Sequence, residues 1–172
     1  TMSAVGAVAN RNFLSPLGYK FTLARAPNLE FNVQSVMFPG ITLGTTEVAT
    51  PFLMMPQTGK IKYNPLSITF RVSEDLNDFL EIYNWMIDLG FPASFDQYKA
   101  LKNAEYGSKE TLRSDLTLTV LTSALNPNID VKFYDAFPTD LSTMNFTSTD
   151  TDINYIEVTA TFSYLRYEII KL

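Results

Sequence analysis

A chain of 172 residues with 46% hydrophobic side chains and a net charge of −5 is long enough to bury one core and too apolar to remain disordered. It contains no histidine and no cysteine, which excludes histidine-based triads, a histidine-ligated zinc, thiolate metal sites and disulfides. Its thirteen basic residues are scattered and outnumbered by eighteen acidic ones, so gripping nucleic acid by phosphate neutralisation is not expected.

The chain opens on small residues from Met2 to Ala9 with no basic residue before them. The apolar run covers only Ala4 to Ala9, so the stretch reads as part of a flexible N-terminal arm, residues 1–16, rather than a targeting signal. The remainder, 17–172, reads as one domain. No run reaches the roughly 18 apolar residues that a membrane-spanning helix needs. Leu17, Tyr19, Phe21 and Leu23 alternate with Lys20 and Thr22, the period of a half-buried strand. After the turn signal Ala26-Pro27-Asn28, the run Leu29, Phe31, Val33 repeats the pattern and stops at Pro39-Gly40, which predicts a hairpin.

The next segment, Ile41 to Tyr63, is too long and too apolar for an ordinary connection of about 4 to 6 residues. Its centre, Phe52-Leu53-Met54-Met55 between Pro51 and Pro56, would leave an apolar patch in water, and such patches mark association surfaces. The competing expectation is that the segment folds back over its own core. Lys60 and Lys62 read as solvated edge protection.

Leu66, Ile68, Phe70 and Val72 alternate with Ser67, Thr69, Arg71 and Ser73, an antiparallel-type strand. A helix follows: Ser73 is placed to cap, Glu74 and Asp75 lie in the first turn, and Gly90 with Pro92 gives a stop. Asn77, Glu81, Asn84 and Asp88 form its narrow polar stripe. Leu76, Phe79, Leu80, Tyr83, Met86 and Ile87 form the main apolar face, which Ile82, Trp85 and Leu89 widen. The excess apolar surface fits either deep packing or contact with a neighbouring subunit through Ile82 and Trp85. Beyond Phe91 to Tyr106, which reads as an insertion, come a strand of Leu116, Leu118 and Val120 alternating with Thr117 and Thr119, a turn at Asn126-Pro127-Asn128, and a strand through Ile129, Val131 and Phe133. The last strand sets Ile156, Val158, Ala160, Phe162 and Tyr164 against Thr159 and Thr161. The threonine faces suit a water-facing or channel-lining surface.

Chemistry finds little support. Asp150, Asp152 and Asn154 have the spacing of the first ligands of a calcium loop, but Tyr155 stands where the turn glycine belongs and Thr161 where the bidentate glutamate belongs. The densest carboxylate group, Glu74, Asp75, Asp78 and Glu81, lies at a helix start, where charge complements the dipole and faces water. The glycines form no phosphate loop. No enzymatic activity, metal or cofactor is expected.

The order of these features resembles the tail tube proteins of contractile-tailed bacteriophages. The matching pieces are the early element ending in a proline turn (Phe31 to Gly40), an extended hairpin, and a strand running into an acidic helix with a tryptophan near its end (Leu66 to Trp85). The Pro138-Thr139 turn, an acidic loop and the closing strand Tyr155 to Tyr164 with Ile156-Glu157-Val158 complete the match, over roughly 13–167. The resemblance implies a mainly β, α+β fold: an antiparallel sandwich or barrel with one flanking helix and a long extended hairpin. It implies a structural subunit of the virion, assembled in the host cytoplasm, forming hexameric rings that stack into a channel for DNA, with sheath, tape measure and baseplate proteins as partners and no specific hold on the genome. The subunit contacts would then involve Phe52, Leu53, Met54, Met55, Ile82 and Trp85, and the lumen or solvent face Thr117, Thr119, Thr159 and Thr161. The longer arm and the insertion leave a baseplate tube-initiator or tail-terminator relative as the second reading. A β-sandwich carbohydrate- or receptor-binding module, with tyrosine and tryptophan platforms, is the alternative of another class, disfavoured because Trp85 falls in a helix.

Overall fold

A computed structural model describes residues 12–90, 113–149, 152 and 154–172. Most of the N-terminal arm, the insertion Phe91 to Tyr106 and Asp150 of the calcium-like spacing lie outside them. The described strands are β1 (Tyr19–Leu23), β2 (Val33–Met37), β3 (Ile41–Ala49), β4 (Met54–Tyr63), β5 (Leu66–Arg71), β6 (Ser114–Leu121), β7 (Pro127–Leu141), β8 (Glu157–Ser163) and β9 (Arg166–Lys171). Two helices interrupt them, α1 (Pro27–Asn32) and α2 (Asn77–Gly90).

Among the described residues all pairings are antiparallel. The main sheet runs β1-β6-β7-β8-β5-β2, with β9 also on β7, and β3 and β4 form a separate two-stranded sheet among the described residues. The long strand β7 belongs to both halves. Its first part, Ile129 to Tyr134, lies between β6 and β9, and its last part, Phe137 to Leu141, pairs β8. Asp135, at φ 55°, marks the change between them. The Pro138-Thr139 pair expected as a turn is therefore inside β7, at a register shift that accommodates the missing N–H.

The two halves fold onto one core. Phe21, Leu23, Leu116, Leu118, Val131 and Phe133 meet Leu66, Ile68, Phe70, Val158, Ala160 and Phe162. These are the apolar members of the alternating strands, so their polar alternates point outward on opposite sides.

The early hairpin does not form. Leu29 is buried but Phe31 is 86% exposed, because 27–32 winds into α1 with Pro27 at its start, a position suited to the fixed proline φ. The Glu30 carboxylate accepts the Leu23 N–H at 2.7 Å and closes the turn. Strand β1 then pairs β6, and β2 pairs β5. Leu17, expected inward, is exposed.

Helix α2 starts later than Ser73. Ser73 to Leu76 form a turn, Leu76 N–H to Ser73 C=O at 3.0 Å, and Leu76 takes φ 56°. Asp78, expected to face water, is buried at 1% exposure. Its carboxylate accepts from Ser73 N–H (3.1 Å), Ser73 Oγ (2.7 Å) and Asn32 Nδ2 (2.8 Å).

Candidate functional site

The β3–β4 hairpin is the feature that the domain does not use for itself. Every residue of β3 is exposed and only Tyr63 of β4 is partly covered, so the segment does not fold back over the core. Its root is held by aromatic side chains. Phe38, just before β3, and Tyr63, at the end of β4, both meet Tyr167 with ring centroids 5.4 Å apart. Tyr164 packs on Phe133 at 5.0 Å and donates its hydroxyl to the Asn64 C=O at 2.6 Å. Burial, reinforced by the neighbouring Tyr167 and Tyr63, pushes the Tyr164 phenol up to about 12. Asn64 N–H to Gly40 C=O at 3.1 Å joins the two root strands. Strand β9, which carries Tyr167, has no clean period in the sequence, so this anchor is not visible there.

Midway, the register shifts between Leu43 and Thr45, and Gly44 and Gly59 meet backbone to backbone. A Cβ on Gly59 would lie 2.9 Å from the Gly44 C=O oxygen, so the close approach requires glycine. At the tip, Thr50 locks the loop: its N–H donates to the Leu53 C=O at 3.1 Å, and its Oγ1 accepts the Leu53 N–H at 3.2 Å. This fixes Phe52 at 99% exposure, followed by Leu53, Met54 and Met55 at 68%, 58% and 53%. The four hairpin residues singled out in the sequence thus form one contiguous apolar tip.

Ile82 and Trp85 do not join it. They are 0% and 2% exposed, and Trp85 packs on Phe162 of β8 and carries the Arg25 guanidinium over its ring, 5.1 Å from the centroid. They are core residues, and a buried Trp85 is no sugar-stacking platform. Burial lowers the Arg25 guanidinium, offset by Asp88 at 3.7 Å. The stripe that α2 leaves in water is instead Leu80, Tyr83 and Ile87, continued by Leu76 before the helix start, one face at helical spacing.

The threonines lie on two faces. Thr159 and Thr161 of β8 pair with Thr69 and Ser67 of β5, with Thr69 Oγ1 and Thr159 Oγ1 3.1 Å apart. The ion pair at the end of this face, Arg71 to Glu157 at 3.8 Å, cancels its charge. Thr117 and Thr119 of β6 lie on the opposite side beside Lys20, Lys132 and Asp130, and Thr119 Oγ1 donates to Asp130 at 2.7 Å. One channel cannot be lined by both pairs. Among the described residues no group of three or more acidic side chains could hold a metal ion.

Comparison with known proteins matches residues 4–170 to the profile of the phage tail tube protein family. The tail tube terminator protein of Enterobacteria phage T4 is 28% identical over 144 residues, 81% of this chain and 77% of that protein. Among solved structures, the tube-terminating cap of the anti-feeding prophage matches with a TM-score of 0.62 and 14% identity over 100% of both chains. A chain of the sheath–tube complex of an extracellular contractile injection system matches with 0.60 and 14% over 94% of both. A chain from the sheath and tube terminator of the same kind of system matches with 0.57 and 14% over 94% of this chain and 99% of that one.

Proposed function

We propose that this chain, which belongs to the phage tail tube protein family and is a structural component of the phage tail rather than an enzyme, is the subunit that ends the tube as a terminator. The observation that carries the reading is the tail tube terminator relative, which spans most of both chains; a tube-terminating cap with the same fold over the full length supports it. The sequence put the tube body first and a baseplate tube-initiator or tail-terminator relative second; the terminator of that second reading is the one supported here.

In this reading six copies close a ring on the end of the tail tube and leave a channel for DNA. The tube below and the sheath around it are the partners, in keeping with the complexes that hold the structural neighbours. The face of β5 and β8 is the better channel lining, because hydroxyls and one cancelled ion pair attract a passing polyanion less than a face carrying Lys20 and Lys132. The apolar hairpin tip supplies ring association. Burying one such side chain contributes about 1.5 to 3 kcal/mol, and a closed ring repeats the contact.

Negative-stain microscopy of the purified protein tests the reading. Single rings that bind the ends of preformed tail tubes and stop their elongation are expected. Long tubes grown from this protein alone would make it the tube body subunit and overturn the assignment.

A further inference from the structure

Strands β7 and β8 part company at the end of the sheet away from the hairpin. Leu66, where β5 leaves the hairpin root, pairs Phe162, and Arg71 at the other end of β5 pairs Glu157, the first residue of β8. The six residues of β5 thus set the start of β8 roughly 20 Å from the hairpin root. Beside that start the β7–β8 ladder stops. The Ser142 N–H donates to the Thr159 C=O at 2.9 Å, and the Ser142 hydroxyl, in place of a backbone carbonyl, accepts the Thr159 N–H at 2.9 Å. Past Ser142 the two chains diverge and enclose a cleft of about 660 Å³ between residues 143–148 and 154–157, a size typical of ligand sites. Met144 and Ile156 pack against the core and anchor the two walls.

Strand parity decides what faces this cleft. The Thr159 N–H and C=O point toward β7, so those of Glu157, two residues away, point the same way. The Ile156 C=O accepts the Val72 N–H at 3.0 Å, so the intervening residue faces the β5 side. Among the described residues no member of β7 stands opposite Glu157, and its N–H and C=O are aimed into the cleft without a backbone partner. On the walls, Phe146 and Tyr155 are 74% and 68% exposed, and Asn145, Thr147 and Asn154 add uncharged donors and acceptors. The Arg71 guanidinium lies over the Tyr155 ring, 5.1 Å from the centroid, and reaches Glu157 at 3.8 Å. The one charged side chain of the lining therefore has its counter-ion already. We propose that the cleft takes an extended, uncharged segment of another polypeptide, which continues the β7 ladder by pairing with Glu157 and sets an apolar side chain against Phe146 and Tyr155. Main-chain bonds at such an edge give affinity, and the side-chain pocket gives specificity. A neutral sugar would use the rings and amides but needs no strand edge, so the Glu157 backbone decides for a peptide. By parity Tyr155 and Glu157 share the face of Thr159 and Thr161, which places the bound segment at the end of the face argued above to line the channel. The inference goes beyond the terminator reading and holds equally for a tube body subunit.

The chain has no cysteine, so Ser148→Cys offers a single attachment point on the cleft wall. The probe is a peptide with the alternating, uncharged sequence of Leu116–Leu121 behind a Cys-Gly-Gly leader, joined there by a disulfide, which brings it to the cleft at a millimolar effective concentration. Hydrogen exchange at the Glu157 N–H and at the peptide's own amides should slow by about tenfold or more. Glu157→Pro removes that N–H at the first residue of a strand, where proline is tolerated, and should abolish the protection of the peptide, whereas Glu157→Gln, which loses only the charge, should keep it. Phe146→Ala and Tyr155→Ala should each weaken the protection by about three- to tenfold. A peptide with the same side chains and an N-methylated backbone should gain none. Protection that survives N-methylation would make the cleft a side-chain pocket and overturn strand addition, and unchanged exchange in the tethered protein would overturn the proposal outright. Chitotetraose shifting the Asn145 and Asn154 amide resonances while the peptide leaves exchange unchanged would make it a glycan site instead. None of these outcomes touches whether rings cap a tube, so the terminator reading stands or falls separately.

Discussion

Asp78→Ala should be the most damaging single substitution outside the apolar core. The carboxylate is 1% exposed and accepts from the Ser73 N–H, the Ser73 hydroxyl and the Asn32 amide at 2.7 to 3.1 Å. Hydrogen bonds to a charged acceptor contribute about 1.5 to 3 kcal/mol each, and donors left buried without a partner cost comparably. The three are not additive. Asn32 is only partly buried and can turn its amide to water, so the Ser73 pair dominates, and the loss comes to about 3 to 4 kcal/mol of the roughly 5 to 15 that a domain possesses. At about 2 to 4 °C per kcal/mol for a chain of this size, the midpoint should fall by roughly 10 °C.

Asp78→Asn keeps one carbonyl acceptor for Ser73 and should cost about 1 to 2 kcal/mol. Thermal unfolding in a Phe52→Asp background, which is expected to prevent ring association while changing a fully exposed side chain, keeps the comparison free of concentration effects. An Asp78→Ala protein within about 1 kcal/mol of its parent would refute the argument that this carboxylate joins the start of α2 to the end of α1.

Three further outcomes are expected. Gly59→Ala places a methyl 2.9 Å from the Gly44 oxygen and 3.0 Å from its carbonyl carbon, both backbone atoms that cannot rotate away, so the hairpin should splay and rings should be lost while near-UV dichroism of the body stays normal; intact rings would disprove it. For Tyr164, the phenol raised from 10.0 to about 12 by burial means that the folded state favours the neutral form. Its contribution to stability is complete below pH 10 and lost as the pH rises through 12, although solvent screening makes it small. A 295 nm titration should lose its latest component in Tyr164→Phe, and hydrogen exchange at the hairpin root should quicken. In assembled rings, a cysteine at Thr119 should react with a bulky polymer-maleimide while one at Thr159 stays protected until the rings are dissociated; the reverse pattern would put the β6 face in the channel.

The strands whose two faces differ were legible in the sequence. Leu66, Ile68 and Phe70 in β5, Leu116 and Leu118 in β6, and Val158, Ala160 and Phe162 in β8 are all buried as their alternation requires. The run from Leu29 to Val33 alternates as well, yet it becomes a helix and a strand. Pro27 can open a turn or sit at a helix start, and the choice was made by Glu30 reaching the Leu23 N–H, a contact that periodicity does not encode. The hairpin tip was legible for a simpler reason: four consecutive apolar residues between prolines exceed what one face of one strand can hide.

Helix α2 shows why apolar pattern alone misassigns surfaces in a protein built to assemble. Its residues divide into three stripes. Phe79, Ile82, Trp85, Met86 and Leu89 face the core; Glu81 and Asp88 meet Asn28 at 2.6 Å and Arg25; Leu80, Tyr83 and Ile87 remain in water. Two of the three are apolar, so periodicity states that the helix has two faces to bury without stating which one the monomer uses. The deciding residue is Asp78, which turns the first turn inward to meet Ser73 and Asn32 and so commits the Ile82 and Trp85 side to the core. A carboxylate read as solvated is thus the element that holds one apolar stripe against the core while Leu80, Tyr83 and Ile87 stay in water.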